Sequence, residues 1–176
     1  TEKIKNESSE NTNIKEANPP TKENIADPMR ELNNLIGLSN AKKQANDFIR
    51  VHVVNEAKKK KGIKVEDNSL HSIYKGNPGT GKTTVARLIA QILFQKSVIK
   101  KDLLVEVTRQ DLVAGFVGQT AIKTEKVLKS ALGGVLFIDE AYTLYSKSEN
   151  DYGVEAIETI LKFMEDNRGN IMIIFA

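Results

Sequence analysis

The sequence predicts an α/β domain of three layers, in which helices cover both faces of a mainly parallel β-sheet. Past residue 30, strand-like and helix-like patterns alternate along the 176-residue chain. Two of the predicted strands are uninterrupted apolar runs, as expected for strands that are buried on both faces. Strands that alternate with helices give parallel sheets with right-handed crossovers, so this order defines the fold class.

The individual elements follow from apolar spacing and from turn residues. A helix over residues 38–61 ends in four lysines followed by Gly62, and cations at a helix C-terminus stabilise the helix dipole. The same run could contact nucleic acid, but no aromatic side chains are interleaved with it, which disfavours that interpretation. The remaining predictions, in chain order, are strand Leu70–Tyr74, helix Lys82–Gln95, strand Leu103–Val107, helix Thr120–Leu132, strand Val135–Ile138, helix Val154–Asp166 and strand Ile171–Phe175.

Residues 1–29 differ from the rest of the chain in composition. They hold four lysines and six acidic residues, a net charge of −2, whereas the remaining residues carry a net charge of +5. Because this stretch is almost free of apolar residues, it cannot bury enough surface to offset the entropy cost of ordering. We therefore predict a disordered tail or linker at 1–29 and one domain at 30–176.

The composition excludes several classes of protein. Cysteine is absent, which rules out a disulfide scaffold, thiolate metal sites and a cysteine nucleophile. No apolar run approaches the length of about 18 residues that a membrane-spanning helix needs. The net charge of +3 is too small to indicate a nucleic-acid partner. These features fit our prediction of a cytoplasmic protein with no membrane contact.

The strongest chemical signal is a glycine-rich loop between a predicted strand and a predicted helix. Residues 76–83 read G-N-P-G-T-G-K-T, which matches the P-loop (Walker A) pattern G-x-x-x-x-G-K-[ST]. Glycines let such a loop bring backbone N–H groups close to phosphate oxygens, and the helix that follows directs its positive end at them. A glycine-rich turn with a helix-capping threonine is the alternative. The predicted nucleotide contacts are Gly76, Asn77, Pro78, Gly79, Thr80, Gly81, Lys82, Thr83 and Thr84.

Within this loop, two side chains have distinct predicted roles. We expect Lys82 to act in catalysis by contacting the β- and γ-phosphates, and the Thr83 hydroxyl to bind Mg²⁺. A second signal, Val135-Leu136-Phe137-Ile138-Asp139-Glu140, is a strand that ends in two carboxylates, as in a Walker B motif. Asp139 would hold Mg²⁺, and Glu140 would orient a water for attack on the γ-phosphate.

Adjacent carboxylates could also form a metal or glycosidase pair. Neighbours on a strand point to opposite faces, which disfavours joint action on one bond. Asp139 follows Lys82 by 57 residues, and together the two motifs predict a nucleotide hydrolase. A small-molecule kinase, and a nucleotide-gated interaction module without productive hydrolysis, remain as alternatives.

With these residues in place, the chain resembles the AAA+ ATPases, in the branch that contains the red-type Rubisco activase CbbX (CfxQ) and the stage V sporulation protein SpoVK. Three stretches carry the resemblance: GNPGTGKTTVAR from residue 76, DLVAGFVGQTAIK from residue 111 and ALGGVLFIDEAYTL from residue 131. It covers residues 30–176. The resemblance implies ATP with Mg²⁺, a ring of subunits (a hexamer) and a protein client that the ring remodels or threads.

The resemblance also implies roles for further residues. Leu35, Ile36 and Gly37 lie where the family contacts adenine, and Arg109 lies near a polar position that senses the nucleotide. Phe116 and Val117 fall where the family places the pore loop that grips a polypeptide. From the residues alone, Phe116 would instead be a core residue that anchors the turn before a helix.

The sequence ends in the fourth predicted strand of this core. The family continues with a sensor region, an arginine finger, a fifth strand and a helical lid. We therefore expect this chain to hold the nucleotide cradle and to hydrolyse ATP weakly, with ring closure left open.

Overall fold

The structure is a computed structural model that describes residues 15–16, 27–65, 69–116, 118–146 and 151–176. Its strands form one sheet of five strands in the order β1-β3-β4-β5-β2. The strands are β1 (Lys15–Glu16), β2 (Ser72–Ile73), β3 (Leu104–Val107), β4 (Val135–Ile138) and β5 (Met172–Phe175).

Four of these strands, β2 to β5, are parallel to one another, as the sequence predicts. Strand β1 lies at the edge of the sheet and pairs antiparallel with β3. Strand β5, the last in the chain, lies between β4 and β2. The segments that follow β4 and β2 therefore flank the C-terminal end of β5. This crossover brings the predicted P-loop and the predicted acidic turn to one edge of the sheet, where ligands bind in open α/β folds.

The helices confirm the alternating pattern. Helix α3 has the predicted bounds, and α2, α5 and α6 differ from prediction by two residues or fewer at each end. No helix in the described parts of the chain is long and apolar enough to cross a membrane. The helices are α1 (Pro28–Asn34), α2 (Ser39–Lys60), α3 (Lys82–Gln95), α4 (Arg109–Leu112), α5 (Thr120–Ser130), a 3-10 helix (Ala141–Leu144) and α6 (Gly153–Asp166).

Strand β4 shows why the domain has three layers. All four of its residues are buried, and they alternate between two apolar clusters. Val135 and Phe137 pack in the cluster built from α1, α2 and α3. Leu136 and Ile138 pack in the cluster built from α4, α5 and α6. The predicted α/β class with helices on both faces of the sheet is confirmed.

The folded domain begins before residue 30. The Asp27 carboxylate accepts a hydrogen bond from the Met29 N–H (3.1 Å) and caps α1, and Pro28 occupies the first turn and is buried. Proline suits that position because its missing N–H would be unpaired in any case. The composition predicts that Pro28 and Met29 belong to the tail. They belong instead to helix α1. Of the predicted tail, β1 is described as a strand, and the stretches 1–14 and 17–26 lie outside the described residues.

Candidate nucleotide-binding site

A cleft of about 660 Å³ opens at the C-terminal edge of the sheet. It lies between the loop after β2, the turn after β4 and the end of β5. The position agrees with the ligand crevice that strand order defines in open parallel sheets. The cleft is lined by Ile73, Tyr74, Lys75, Gly76, Pro78, Gly79, Lys82, Thr83, Asp139, Glu140, Ala141, Tyr142, Phe175 and Ala176.

The loop after β2 wraps the Lys82 side chain. The ammonium group donates hydrogen bonds to the carbonyls of Gly76 (3.0 Å) and Asn77 (3.3 Å), and the Thr80 hydroxyl donates to the same Asn77 carbonyl (2.8 Å). The positive charge therefore lies inside the concave face of the loop. An anion held by the loop would meet this ammonium together with the positive end of α3.

Two glycines give the loop its shape. Gly79 and Gly81 have φ angles of +75° and +84°, in the left-handed region that other residues rarely adopt. Gly81 is also the N-cap of α3, and its carbonyl accepts the first helical hydrogen bond, from Val85 (3.0 Å). The chain passes from loop to helix within one residue. As in any α-helix, the first N–H groups of α3 have no hydrogen-bond partner within the helix.

The acidic turn is held by backbone hydrogen bonds to both neighbouring strands. The Asp139 N–H donates to the Val107 carbonyl at the end of β3 (2.8 Å). The Ala141 N–H donates to the Ala176 carbonyl just after β5 (2.8 Å). These two bonds fix the backbone at both ends of the acidic turn to neighbouring strands of the sheet.

Glu140 has an unusual backbone conformation. Its φ and ψ angles are 50° and 41°, left-handed for a residue that is not glycine. Its N–H donates to the Asp139 carboxylate (3.0 Å), and its carbonyl accepts hydrogen bonds from both the N–H and the hydroxyl of Thr143 (2.8 and 2.7 Å). No described residue donates a hydrogen bond to the Glu140 carboxylate, which is left open to the cleft.

The cleft offers oxygen ligands suited to Mg²⁺. The Thr83 hydroxyl and the Asp139 carboxylate both line it, and Mg²⁺ prefers a few protein oxygens together with water and phosphate oxygens. Among the described residues no group of three or more acidic, histidine or cysteine side chains could hold a metal alone. The Thr83 and Asp139 oxygens fit a Mg²⁺ ion whose other ligands are water and phosphate oxygens.

A second cavity, of about 260 Å³, lies beside the loop between α2, β2 and α3. Leu38, Ala45 and Phe48 contribute apolar walls, and Thr80 and Lys82 connect the cavity to the loop. Ser72 and Tyr74 also line it, and neither hydroxyl makes a hydrogen bond of standard geometry to a described residue.

Burial raises the pKa of Tyr74 far above its ordinary value, and the nearby Ser72 hydroxyl offsets only part of the rise. The Tyr74 phenol is therefore neutral and can donate a hydrogen bond. Of the residues that the resemblance assigns to adenine, Leu35 packs against the core and Ile36 is 99% exposed. Neither Ile36 nor Gly37 lines either cavity, so their role stays a prediction, whereas Leu38 does line the second cavity.

Arg109 does not line the cleft. Its guanidinium donates hydrogen bonds to the 3-10 helix and forms an ion pair with Asp151. Arg109, the residue that the resemblance places near a nucleotide-sensing position, therefore contacts the 3-10 helix that follows the acidic turn. The hydrogen bond from Arg109, and next the N–H of Gly153, hold the pKa of Asp151 below its ordinary value.

Phe116 is 71% exposed, so its interpretation as a core residue is wrong. It lies on a loop whose stem is tied to α5. The Thr120 hydroxyl accepts from the Ala114 N–H (3.1 Å), and the buried Thr124 hydroxyl donates to the Leu112 carbonyl (3.0 Å). A single exposed aromatic side chain is common on protein surfaces, so the predicted pore-loop role of Phe116 stays a prediction. Val117 lies outside the described residues, so its predicted role stays a prediction.

Comparison with known proteins assigns the class. A family model described as "ATPase family associated with various cellular activities (AAA)" matches residues 73–176, the part of the chain that carries both motifs. The chain belongs to this AAA family of ATPases, as the resemblance predicted.

Particular relatives agree with the predicted branch. The chain is 44% identical over 147 residues to the stage V sporulation protein K of Bacillus subtilis strain 168, a match that covers 84% of this chain and 46% of the relative. It is 50% identical over 143 residues to the chloroplastic ribulose bisphosphate carboxylase/oxygenase activase of Cyanidioschyzon merolae, with 81% and 49% covered. It is also 49% identical over 143 residues to protein CbbX of Cereibacter sphaeroides, with 81% and 46% covered. The chain spans about half the length of these curated relatives.

Proposed function

We propose that this chain binds ATP with Mg²⁺ in the cleft and hydrolyses it as the nucleotide-binding part of an AAA ATPase. The observation that carries the proposal is the meeting of Lys82, Thr83, Asp139 and Glu140 around one cleft. These residues come from two motifs far apart in the sequence, and the crossover through β5 brings them together. A hydrolytic site needs a phosphate cradle, metal ligands and a carboxylate that orients water, and this cleft supplies each.

Each residue has a defined part in the proposed reaction. The loop N–H groups and Lys82 bind the phosphates and stabilise charge that develops during transfer. Thr83 and Asp139 would hold Mg²⁺, which when bound neutralises phosphate charge and orients the γ-phosphate. Glu140 accepts a hydrogen bond from a water and directs that water at the γ-phosphorus.

The second cavity is the proposed site of the base. Its walls are mainly apolar, and the polar residues Ser72, Tyr74 and Gln44 are among those that line it. A pocket that is mostly apolar with a few placed polar groups is typical of small-ligand sites. We propose ATP rather than GTP because the matching family is described as an ATPase family. The sequence also lacks the N-K-x-D motif that reads guanine.

A finer proposal concerns partners. The relatives include a Rubisco activase and a sporulation protein by name, and AAA ATPases assemble as rings. We propose that the full protein forms a ring, with six subunits as the expected number, and acts on a protein client through Phe116. Support for this step comes from the exposure of Phe116 on its anchored stem. The identity of the client is left open. The cytoplasmic location and the lack of a nucleic-acid partner stay predictions.

Calorimetric titration with ATP tests the binding step. The wild-type chain is expected to bind ATP more tightly with Mg²⁺ than with EDTA. Thr83→Val, which removes only the hydroxyl, is expected to reduce this Mg²⁺ enhancement. Thr159→Val is the matched control, because Thr159 donates to a carbonyl of its own helix α6 (2.7 Å). A wild-type chain that binds no ATP, or a Thr83→Val variant that keeps the full Mg²⁺ effect, would contradict the proposal.

A further inference from the structure

Arg109 joins three segments behind the acidic turn. Its Nη1 atom donates hydrogen bonds to the carbonyls of Thr143 (2.6 Å) and Leu144 (3.2 Å) in the 3-10 helix. Its Nη2 atom pairs with the Asp151 carboxylate, which also accepts the Gly153 N–H at the start of α6 (2.8 Å). Since Arg109 itself begins α4, a single side chain connects α4, the 3-10 helix and α6.

The connection continues to Glu140. Thr143, held by Arg109 through its carbonyl, donates both its N–H and its hydroxyl to the Glu140 carbonyl. The left-handed backbone of Glu140 is unfavourable for a residue other than glycine. Such a conformation persists only where the surroundings determine it. Two bonds from Thr143 to the Glu140 carbonyl hold this side of the turn, together with the bond from the Ala141 N–H to the Ala176 carbonyl.

The conformation of this turn sets the direction in which the Glu140 side chain leaves the backbone. No described residue donates a hydrogen bond to the Glu140 carboxylate, so the backbone limits the positions that the carboxylate can reach. We infer that Arg109 is a positioning residue for Glu140: through Thr143 it holds the turn that presents the carboxylate to the cleft. The inference rests on the proposed role of Glu140 in orienting water.

The burial of the cluster strengthens these interactions. The Asp151 side chain is 5% exposed and that of Arg109 is 31% exposed, so the ion pair is shielded from water on one side. A planar guanidinium can bond two carbonyls and a carboxylate at once, whereas a lysine ammonium is a compact point charge on a flexible stem. Lysine at this position would keep the positive charge but could not bond both carbonyls and the Asp151 carboxylate in the same arrangement.

Steady-state kinetics with ATP distinguish positioning from simple stabilisation. For Arg109→Met we expect kcat to fall about 10- to 100-fold, because small misplacements of a catalytic group cost that much, with KM and ADP affinity within about twofold of wild type. Arg109→Lys is expected to keep the thermal stability and recover only part of kcat. Arg87→Met is the matched control, because Arg87 in α3 also pairs with a carboxylate, that of Glu106 in β3 (2.6 Å), and both side chains are partly exposed.

A double-mutant cycle tests the route through Thr143. Thr143→Val removes one of the two bonds to the Glu140 carbonyl and is expected to lower kcat severalfold. If Arg109 acts through Thr143, the loss in the double variant is smaller than the product of the two single losses, since coupled residues are not additive. Independent losses that multiply would overturn the route.

Amide hydrogen exchange supplies a readout that needs no hydrolysis. In Arg109→Met the Thr143 and Tyr145 amides, which close the 3-10 helix, are expected to exchange at least tenfold faster. The β4 amides of residues 135–138 should keep their protection. Unchanged exchange in residues 140–145 overturns the inference, whatever the activity. A wild-type chain that binds ATP without turnover contradicts the proposed function, while the exchange data still decide the role of Arg109 in the turn.

Discussion

The ammonium group of Lys82 lies 3.0 Å from the carbonyl oxygen of Gly76, inside the loop that the two residues begin and end. The loop therefore carries its own counter-charge at the point where phosphate oxygens would enter. The carbonyls that accept from Lys82 face the same space, so the ammonium can turn from them to an anion with little movement of the backbone. We therefore expect Lys82 to contribute strongly to nucleotide affinity.

Replacing Lys82 with methionine should weaken nucleotide binding while leaving the fold intact. A charged hydrogen bond of this kind contributes about 1.5–3 kcal/mol, which corresponds to about a 10- to 100-fold higher Kd for ADP. Fluorescence anisotropy of a labelled ADP measures the change. Lys96→Met is the control, because Lys96 caps the far end of the same helix. Equal Kd values for the two variants would contradict the role of Lys82.

Gly153 is expected to be intolerant of a side chain. A Cβ atom at this position would lie 1.9 Å from the Leu144 carbonyl oxygen and 2.7 Å from Arg109 Nη1. Because one obstacle is backbone, Gly153→Ala should lower the free energy of unfolding by about 1–3 kcal/mol, the usual cost of overpacking. Urea denaturation measures it. Gly115→Ala, where a Cβ meets nothing within 4 Å, is the matched control. Equal stabilities would show that the 3-10 helix can shift freely.

His71 should make stability depend on pH. Its Nδ1 atom accepts a hydrogen bond from the Ile173 N–H (3.1 Å), which requires the neutral ring, and burial lowers its pKa below the ordinary value of 6.5. The unfolded chain therefore takes up a proton first as the pH falls. The contribution of His71 to the free energy of unfolding is fully present well above pH 6.5 and decreases as the pH falls below that value. His52 shifts in the same direction, because of burial and then the charge of Lys59.

His71→Asn tests this prediction, because an asparagine carbonyl can accept the Ile173 N–H without titrating. Urea unfolding at several pH values should show a smaller loss of stability below pH 6.5 for the variant than for wild type. The difference should stay below the limit of about 1.4 kcal/mol per pH unit for one proton, since part of the ring is solvated. Parallel pH profiles would show that His71 does not titrate with folding.

The sheet and the main helices were predictable because their signals are local. The apolar run of β4 and the spacing of α3 define both elements with the observed bounds. The residues of the cleft were predictable for the same reason: a P-loop and an acidic strand end have sequence patterns whose physical logic is known. The sheet order that unites them follows from long-range pairing, which those patterns do not contain.

Short and tertiary features were not predicted. Helix α4 and the 3-10 helix have four residues each, too few for a period of 3.6 to appear. The one available signal for α4 was its capping box, in which the Asp111 carboxylate accepts the Thr108 N–H (2.8 Å). The partners of Arg109 lie 34 to 42 residues away, so nothing local indicates them. The second cavity likewise depends on how α2 packs on α3 beside β2.

A paired measurement on wild type and Glu140→Gln tests whether this cleft binds ATP and whether Glu140 orients the water that hydrolyses it. ATP affinity and phosphate release are measured on the same samples, with Asp166→Asn, an exposed carboxylate at the end of α6, as control. We expect equal ATP affinity in all three proteins and a phosphate release rate about 100-fold or more lower in Glu140→Gln alone. Equal release from Glu140→Gln and wild type would contradict it.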